Sequence, residues 1–193
     1  MNVYEVYNVL DLVDFSGEEE VQNILSDFYC PKNQEIEKFT KKSALEFSKK
    51  KMAMTYAVLD SDSRIAAMFS LTHKAIEVDC GEFSNSMKKK LKRYANPNGN
   101  NDSLSVSAFL IAQLGKNYSE EVVPPSGFEL MDFSINILKQ AQHLVGGGVV
   151  YVECENKTKL LDFYQNERNG FFRFGTRYSE KEDIEYIQLL KII

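Results

Sequence analysis

The sequence predicts an α/β (α+β) fold, and three patterns in the chain support that prediction. Residues 104–114 form a β-branched, apolar run; a glycine-containing turn, an amphipathic helix and a second apolar run, 149–152, come after it. This succession is typical of two parallel strands joined by a crossover helix. Apolar runs at 52–59 and 64–71 flank a polar turn, which predicts an antiparallel hairpin. A last pair of strands is expected around a turn at 178–183.

The elements before the hairpin follow from shorter patterns. Residues 3–13 predict a strand that pairs at the sheet edge. Ser16 is expected to cap a helix with an acidic first turn, because hydroxyl caps and acidic residues suit the positive end of a helix. Pro31 interrupts this helix, and residues 33–51 predict another one. The apolar face of the first helix consists of Val21, Ile24, Leu25 and Phe28.

The longest predicted helix, 128–144, joins the two parallel strands. Its apolar positions recur at spacings of three and four and comprise Leu130, Phe133, Ile137, Ala141 and Leu144. Gly146 ends the helix, and its N-terminus presents unpaired N–H groups that attract phosphate. Residues 77–103 have the weakest pattern, for which we expect a short basic helix at 87–94 and a polar loop at 96–102. Charged and apolar residues alternate in the final part of the chain, where the last two strands are expected.

Composition sets limits on the class of protein. With 193 residues, 44% of them hydrophobic, the chain is expected to form a single domain, 1–193. Its net charge of −5 provides no global basic field for nucleic acid. Three cysteines without C-x-x-C spacing argue against a disulfide framework or a metal site. The chain has no apolar run of about 20 residues and no secretion signal at its N-terminus, so we expect a cytoplasmic protein without a membrane partner.

The unit 104–152 and the segment after it resemble the acetyl-CoA-binding core of the GNAT family of N-acetyltransferases. The likeness rests on Asn156 after a strand, on a helix ending in Phe163-Tyr164, and on Gly170-Phe171 opening the next strand. It covers about 28–193, with 77–103 as an insertion-like segment, and is nearest to a subgroup that includes toxin-like acetyltransferases. The resemblance implies a GNAT fold: a central mixed, mostly antiparallel twisted sheet, flanking helices and a parallel, splayed pair of fourth and fifth strands (β4/β5). We expect these strands to separate after Leu114.

The resemblance also implies a cofactor site for acetyl-CoA, the cosubstrate. Its pantetheine arm pairs with the end of the fourth strand, and its pyrophosphate meets the turn before the long helix. The positions that this implies are Leu114, Gly115, Lys116, Ser126, Gly127, Phe128 and Asn156. Only Gly127 matches the family's pyrophosphate pattern, and Pro124 and Pro125 each lack an amide donor. The family's basic residue is missing, so Lys116 or another base is the candidate replacement.

Tyr164 is the catalytic candidate. By the resemblance its hydroxyl lies near the cofactor sulfur and acts as general acid; the alternative is a tyrosine that only packs the helix end. Asn156 either hydrogen-bonds the cofactor or caps the helix 157–164. A general base is not identifiable among Glu153, Glu155 and His73.

Three functions remain open on this sequence. The first is direct acetyl transfer to an amine of a small molecule or a protein. The second is a toxin-type acetyltransferase acting on aminoacyl-tRNA, in which the basic cluster 88–93 holds RNA; the acidic net charge counts against it, and such a run is more often a solvated helix face. The third is a degenerate GNAT scaffold that only binds a partner. Family members often dimerise, so a homodimer also remains open.

Overall fold

The computed structural model describes residues 3–81, 83–97 and 103–193 and contains both helices and strands. The strands are β1 (Glu5–Asn8), β2 (Met54–Leu59), β3 (Ile65–Asp79), β4 (Ala95–Pro97), β5 (Ser103–Lys116), β6 (Val149–Glu155), β7 (Phe172–Ser179) and β8 (Ile184–Ile192). The helices are α1 (Val9–Ser16), α2 (Glu18–Ser26), α3 (Gln34–Lys42), α4 (Ala44–Lys49), α5 (Asn85–Leu91), α6 (Gly127–Val145) and α7 (Thr158–Gln165).

The hydrogen-bonded strands confirm the predicted mixed sheet. Their order is β1-β2-β3-β5-β6-β8-β7, and β4 pairs with β5 off this path. The ladders β1–β2, β2–β3, β4–β5, β6–β8 and β7–β8 are antiparallel, whereas β5 and β6 are parallel. The family's parallel fourth and fifth strands therefore correspond to β5 and β6, and α6 is the crossover helix between them.

The parallel ladder is short. It pairs Phe109 with Val150 and Leu110 with Tyr151, although β5 continues to Lys116 and β6 to Glu155. The ladder thus ends before either strand does, as expected for the splayed strand pair that the family resemblance implies. It ends at Leu110, however, so the predicted end after Leu114 was wrong in position.

The chain divides into two compact units. Unit 1 consists of Met1–Thr72 and Ile111–Asn136, and unit 2 of His73–Leu110 and Ile137–Ile193. Each unit has its own apolar core. In unit 1, helices α1, α2 and α4 bury residues such as Val9, Leu25 and Phe28 beside β2 and β3. In unit 2, residues of β3, α5, β5, β6 and β8 surround Tyr151 and Leu91, both fully buried.

The N-terminal prediction was wrong in two places. Residues 3–13 do not form one strand, because the side chain of Asn8 accepts the N–H of Leu10 and starts α1. Ser16 is not a cap but the last residue of α1, and its hydroxyl donates to the carbonyl of Leu12 at 2.9 Å. Gly17, at φ +89°, separates α1 from α2 instead, a backbone conformation that glycine adopts readily.

Two helices also differ from their predicted form. The predicted helix 33–51 is broken at Ser43, whose φ of −126° lies outside the helical range, so α3 and α4 are separate. In α6, Leu130 is buried as predicted, but Phe133, Ile137 and Ala141 are only half-buried. Leu144 is 80% exposed, because the last turn of α6 extends into solvent. The positions of α6 that are buried are Leu130, Met131, Ser134, Ile135 and Leu138.

The insertion-like segment contributes to the core of unit 2. β3 runs eight residues past its predicted end, and Ile76 and Val78 alternate with exposed positions there. The predicted basic helix is α5, whose Leu91 is buried while Lys89 and Lys90 are exposed. The short strand β4 was not predicted, and residues 98–102 of the predicted polar loop lie outside the described residues.

Two further observations bear on the compositional expectations. Cys30, Cys80 and Cys154 are free thiols, and all three are buried. No helix in 3–81, 83–97 or 103–193 combines the length and apolar character needed to cross a bilayer.

Candidate functional site

Six of the predicted cofactor residues lie in unit 1, at the end of β5 and the start of α6. At the strand end, Gly115 is buried against the helical layer: a Cβ atom there would lie 2.5 Å from Cγ2 of Ile36 and 3.1 Å from Cζ of Phe28. Only glycine fits this approach without displacement of a neighbour. Leu114 and Lys116, on either side, are half-buried. Close packing at Gly115 therefore fixes the position of the end of β5.

Asn117, the next residue, was not among the predicted site residues, yet it organises this end of unit 1. Its side chain is fully buried and accepts hydrogen bonds from the N–H groups of Tyr29 and Ser119, both at 3.0 Å. Its amide nitrogen donates to the carbonyls of Ile65 at 2.7 Å and Asp27 at 3.3 Å. Both polar atoms are thus occupied, and the role of Asn117 is to hold three segments together. A polar residue directly after an apolar strand was the signal available in the sequence.

The turn before α6 contains a capping box. The hydroxyl of Ser126 accepts the N–H of Glu129 at 3.1 Å, and the Glu129 carboxylate accepts the N–H of Ser126 at 2.8 Å. Gly127 and Phe128 form the first positions of α6, as predicted within one residue. Two amides of this turn are thus already paired, and a negative charge lies at the positive helix end. Both features oppose the phosphate role expected for this turn.

Tyr164 and Asn156 lie in unit 2. Tyr164 is on the last turn of α7 and only 9% exposed. Its ring meets those of Phe163 and Phe171 edge to face, with centroids 5.1 and 5.6 Å away. Burial, reinforced by the nearby Cys154 thiol, raises the pKa of Tyr164 above its ordinary value, so the phenol keeps its proton at neutral pH.

The hydroxyl of Tyr164 has an unusual environment for a buried tyrosine. No described residue makes a hydrogen bond to it. It is also not an enclosed polar atom without a partner, since no such side-chain atom occurs in the described parts of the chain. Tyr164 therefore combines a largely buried ring with a hydroxyl that no described group binds. A protonated phenol held in this way can donate to a group that approaches from outside.

Two asparagines fix the loop that follows Tyr164. Asn169 is 1% exposed, and its side chain donates to the carbonyl of Phe163 at 2.5 Å. Asn166 donates to the same carbonyl at 2.6 Å and to that of Asp162 at 3.0 Å. The side-chain oxygen of Asn166 in turn accepts the N–H of Asn169 at 2.9 Å. The last carbonyls of α7 are therefore satisfied within the loop, which holds the helix end that carries Tyr164.

Asn156 is exposed just before α7. The N-cap of that helix is Lys157, which makes no side-chain capping hydrogen bond. The interpretation of Asn156 as a helix cap was therefore wrong. Its expected contact with the cofactor remains a prediction.

The candidates for a general base are constrained in different ways. Arg177 donates to both carboxylate oxygens of Glu153, at 2.7 and 3.0 Å, and Tyr151 and Gln188 donate to it as well. Burial pushes the pKa of Glu153 upward, but these hydrogen bonds outweigh it and hold the pKa below its ordinary value. Glu155 pairs with Lys157 at 2.7 Å, and His73 is exposed on β3. Glu153 is therefore a structural ion pair and a poor proton acceptor.

Comparison with known proteins agrees with this fold. No protein-family model matches the sequence, and a search of curated proteins finds no significant match. The solved structures that it resembles are GNAT acetyltransferases, and the chain shares their fold. Identities of 13–15% make this a likeness of fold alone.

Three of these structures illustrate the likeness. AtaT complexed with acetyl-methionyl-tRNAfMet matches at a TM-score of 0.65 and 15% identity, over 95% of this chain and 94% of AtaT. A mutant of KacT matches at 0.65 and 15%, over 96% and 94% of the two chains. The NatC complex bound to Gag peptide and CoA matches at 0.51 and 13%, over 100% and 98%.

Proposed function

We propose that this protein is an acetyl-CoA-dependent N-acetyltransferase of the GNAT family that transfers the acetyl group directly to an acceptor amine. The observation that carries the proposal is the Tyr164 side chain, whose ring is held at the end of α7 by Phe163 and Phe171 and whose hydroxyl has no described hydrogen-bond partner. The fold supports the assignment, since AtaTR bound with acetyl-CoA also matches, at a TM-score of 0.57.

The proposed reaction has one covalent exchange. The neutral amine attacks the thioester carbonyl, so a C–N bond forms and the C–S bond breaks. After the attack the nitrogen carries a positive charge, and it loses one proton to water. Glu153 does not accept that proton, because it is already paired with Arg177. Tyr164 donates its proton to the departing sulfur and regains one from solvent. Main-chain groups at Leu114, Gly115 and Lys116 position the pantetheine arm.

The acceptor that we favour is an amine of a small molecule or a protein. The net charge of −5 and the absence of a basic field disfavour a large polyanion. Aminoacyl-tRNA is the narrower alternative, and the resemblance to AtaT complexed with acetyl-methionyl-tRNAfMet supports it. The lysines of α5 are its candidate contact, although α5 also has the form of an ordinary surface helix with Leu91 buried.

A calorimetric titration with acetyl-CoA tests the proposal first. We expect micromolar binding and, at about 100 times the Kd, stabilisation against unfolding by about 2.7 kcal/mol. Acceptors are then screened with radiolabelled acetyl-CoA against small amines, peptides and aminoacyl-tRNA. Absence of binding at millimolar acetyl-CoA would contradict the enzyme assignment.

The second candidate is a GNAT scaffold that binds a partner without catalysis. The capping box at Ser126 and Glu129, together with the prolines before it, favours this reading, because it removes phosphate contacts from the turn. The same titration separates the two functions: a folded protein that binds neither acetyl-CoA nor CoA supports the scaffold.

A further inference from the structure

The phosphate groups of coenzyme A need positive charge, and the turn before α6 does not supply it. Pro124 and Pro125 have no N–H, and the amides of Ser126 and Glu129 are paired with each other's side chains. The Glu129 carboxylate would also repel a phosphate at the helix end. If the protein binds the cofactor, positive charge for its phosphates must come from residues outside this turn.

A basic cluster lies beside the end of β5. Nζ of Lys32 lies 4.0 Å from the ring centroid of Tyr118, and Nζ of Lys116 lies 5.9 Å from the same centroid. The two ammonium groups are therefore no farther apart than the sum of these distances. Neither lysine forms an ion pair with a described carboxylate. We call these three residues the Lys32–Tyr118–Lys116 cluster.

The position of this cluster is fixed by the backbone. The N–H of Tyr118 donates to the carbonyl of Tyr29 at 2.7 Å, so the segment that carries Lys32 runs beside the residues after β5. Asn117 adds hydrogen bonds to Tyr29 and Ser119. Main-chain contacts thus bring the two cations to one ring; Lys32 is exposed and Lys116 is half-buried. Two like charges near one ring repel each other, and a bound anion would offset that repulsion.

We infer that the Lys32–Tyr118–Lys116 cluster holds a phosphate group of coenzyme A, in place of the basic residue that the turn lacks. This inference rests on the proposed function and names the residues that bind the anionic part of its cosubstrate. Lysine ammonium groups are suited to this role as point charges for phosphate. Lys116 follows Gly115 directly, so the strand end that is proposed to align the pantetheine arm also carries one of the two charges.

The experiment is a binding series by calorimetry at fixed low salt. The proteins are the unaltered chain, Lys32→Gln, Lys116→Gln, the double variant, and Lys42→Gln as control, since Lys42 is an exposed lysine on α3 of the same unit. The ligands are CoA, dephospho-CoA, acetyl-pantetheine, which has no pyrophosphate, and a short RNA. We expect each cluster variant to weaken CoA binding about tenfold and the double variant about a hundredfold. Acetyl-pantetheine binding and all binding by Lys42→Gln should remain within twofold of the unaltered chain.

Each other outcome has a defined meaning. CoA affinity within twofold of the unaltered protein in both single variants would overturn the inference while leaving the proposed function intact. Equal losses for CoA and acetyl-pantetheine would also overturn it, because they would indicate damage to the arm site and not lost phosphate contacts. Unchanged CoA binding with weakened binding of a short RNA would assign the cluster to an RNA phosphate instead. No CoA binding by the unaltered chain would defeat the proposed function itself.

Discussion

The N–H of Phe171 donates to the carbonyl oxygen of Tyr164 at 3.0 Å, and the two rings meet edge to face. This double contact joins the end of α7 to the residue before β7. It holds the Tyr164 ring by backbone and packing, so its hydroxyl does not need a hydrogen bond to stay in place. The carbonyl and ring of Tyr164 therefore hold the residue in place, whereas its hydroxyl is the proposed proton donor. Substitutions can separate these two roles.

Replacement of Tyr164 by phenylalanine should lower the rate of acetyl transfer and leave the free energy of unfolding almost unchanged. Since no described group bonds the hydroxyl, we expect the free energy of unfolding to change by less than about 0.5 kcal/mol. Loss of the proton donor should lower kcat about 100-fold. Steady-state kinetics and urea unfolding measure the two effects. Tyr29→Phe, at an exposed tyrosine whose hydroxyl also has no described hydrogen-bond partner, is the matched control, and full activity of Tyr164→Phe at every pH would rule out the general-acid role.

Asn169→Ala should affect both stability and rate. The buried side chain caps a carbonyl at the end of α7, so we expect a loss of about 1–2 kcal/mol and a lower kcat from the displaced Tyr164. The control is Gln165→Ala, at an exposed position beside the same loop. A variant with normal stability and normal kcat would show that the loop does not position the tyrosine.

The Glu153–Arg177 pair predicts a pH dependence of stability. The pKa of Glu153 is lower in the folded protein than in the unfolded chain, so the carboxylate stabilises the fold above its unfolded pKa of about 4.3. That contribution is lost as pH falls through the folded pKa. Glu153→Gln should therefore be about 1 kcal/mol less stable at pH 7, with a difference that shrinks below about pH 4.

Urea unfolding of both proteins between pH 7 and pH 3 measures this difference. Glu155→Gln is the control, since its carboxylate pairs with the exposed Lys157. A stability difference that grows as the pH falls would contradict the assignment. Because Glu153 is not the proposed base, acetyl transfer by folded Glu153→Gln should persist at pH 7.

Gly115→Ala tests the close approach at the end of β5. The new Cβ would lie 2.5 Å from Ile36 Cγ2, and we expect a cost of about 1–3 kcal/mol in the free energy of unfolding. In an Ile36→Ala background, the same change should cost about 1 kcal/mol less, because the clashing methyl group is gone. Equal costs in the two backgrounds, measured by urea unfolding, would show that the backbone moves away from this contact.

Periodic patterns predicted much of the fold, and single polar contacts account for most of the errors. The strands β5 and β6 were predicted from apolar runs, α6 from apolar positions three and four residues apart, and β8 from the family resemblance. The break at Ser43 and the helix start at Asn8 depend on one residue each, and no periodicity reveals them. The prediction ended β3 too early, because the second half of the strand alternates between buried and exposed positions and does not form an apolar run.

The candidate site was predictable only in part. Tyr164 and Gly127 stood out because they match a family pattern. The capping box at Ser126 and Glu129 fits a pattern of Ser and Glu three residues apart, which the phosphate interpretation left unused. The Lys32–Tyr118–Lys116 cluster joins residues more than 80 positions apart in sequence. Such a contact appears only when the chain is folded.

The buried amide of Asn117 divides the connection between β5 and α6 into two parts. Residues 117–119 are tied to two other segments, at Tyr29 and at Ile65, and cannot shift without leaving enclosed polar atoms unpaired. Residues 120–125 lack such a buried side-chain anchor among the described hydrogen bonds, so displacement within this connection costs less there than at 117–119. The lysines beside Tyr118 would then stay in a fixed position when coenzyme A binds. The segment that contains Pro124 and Pro125 would be the part of the connection that changes conformation.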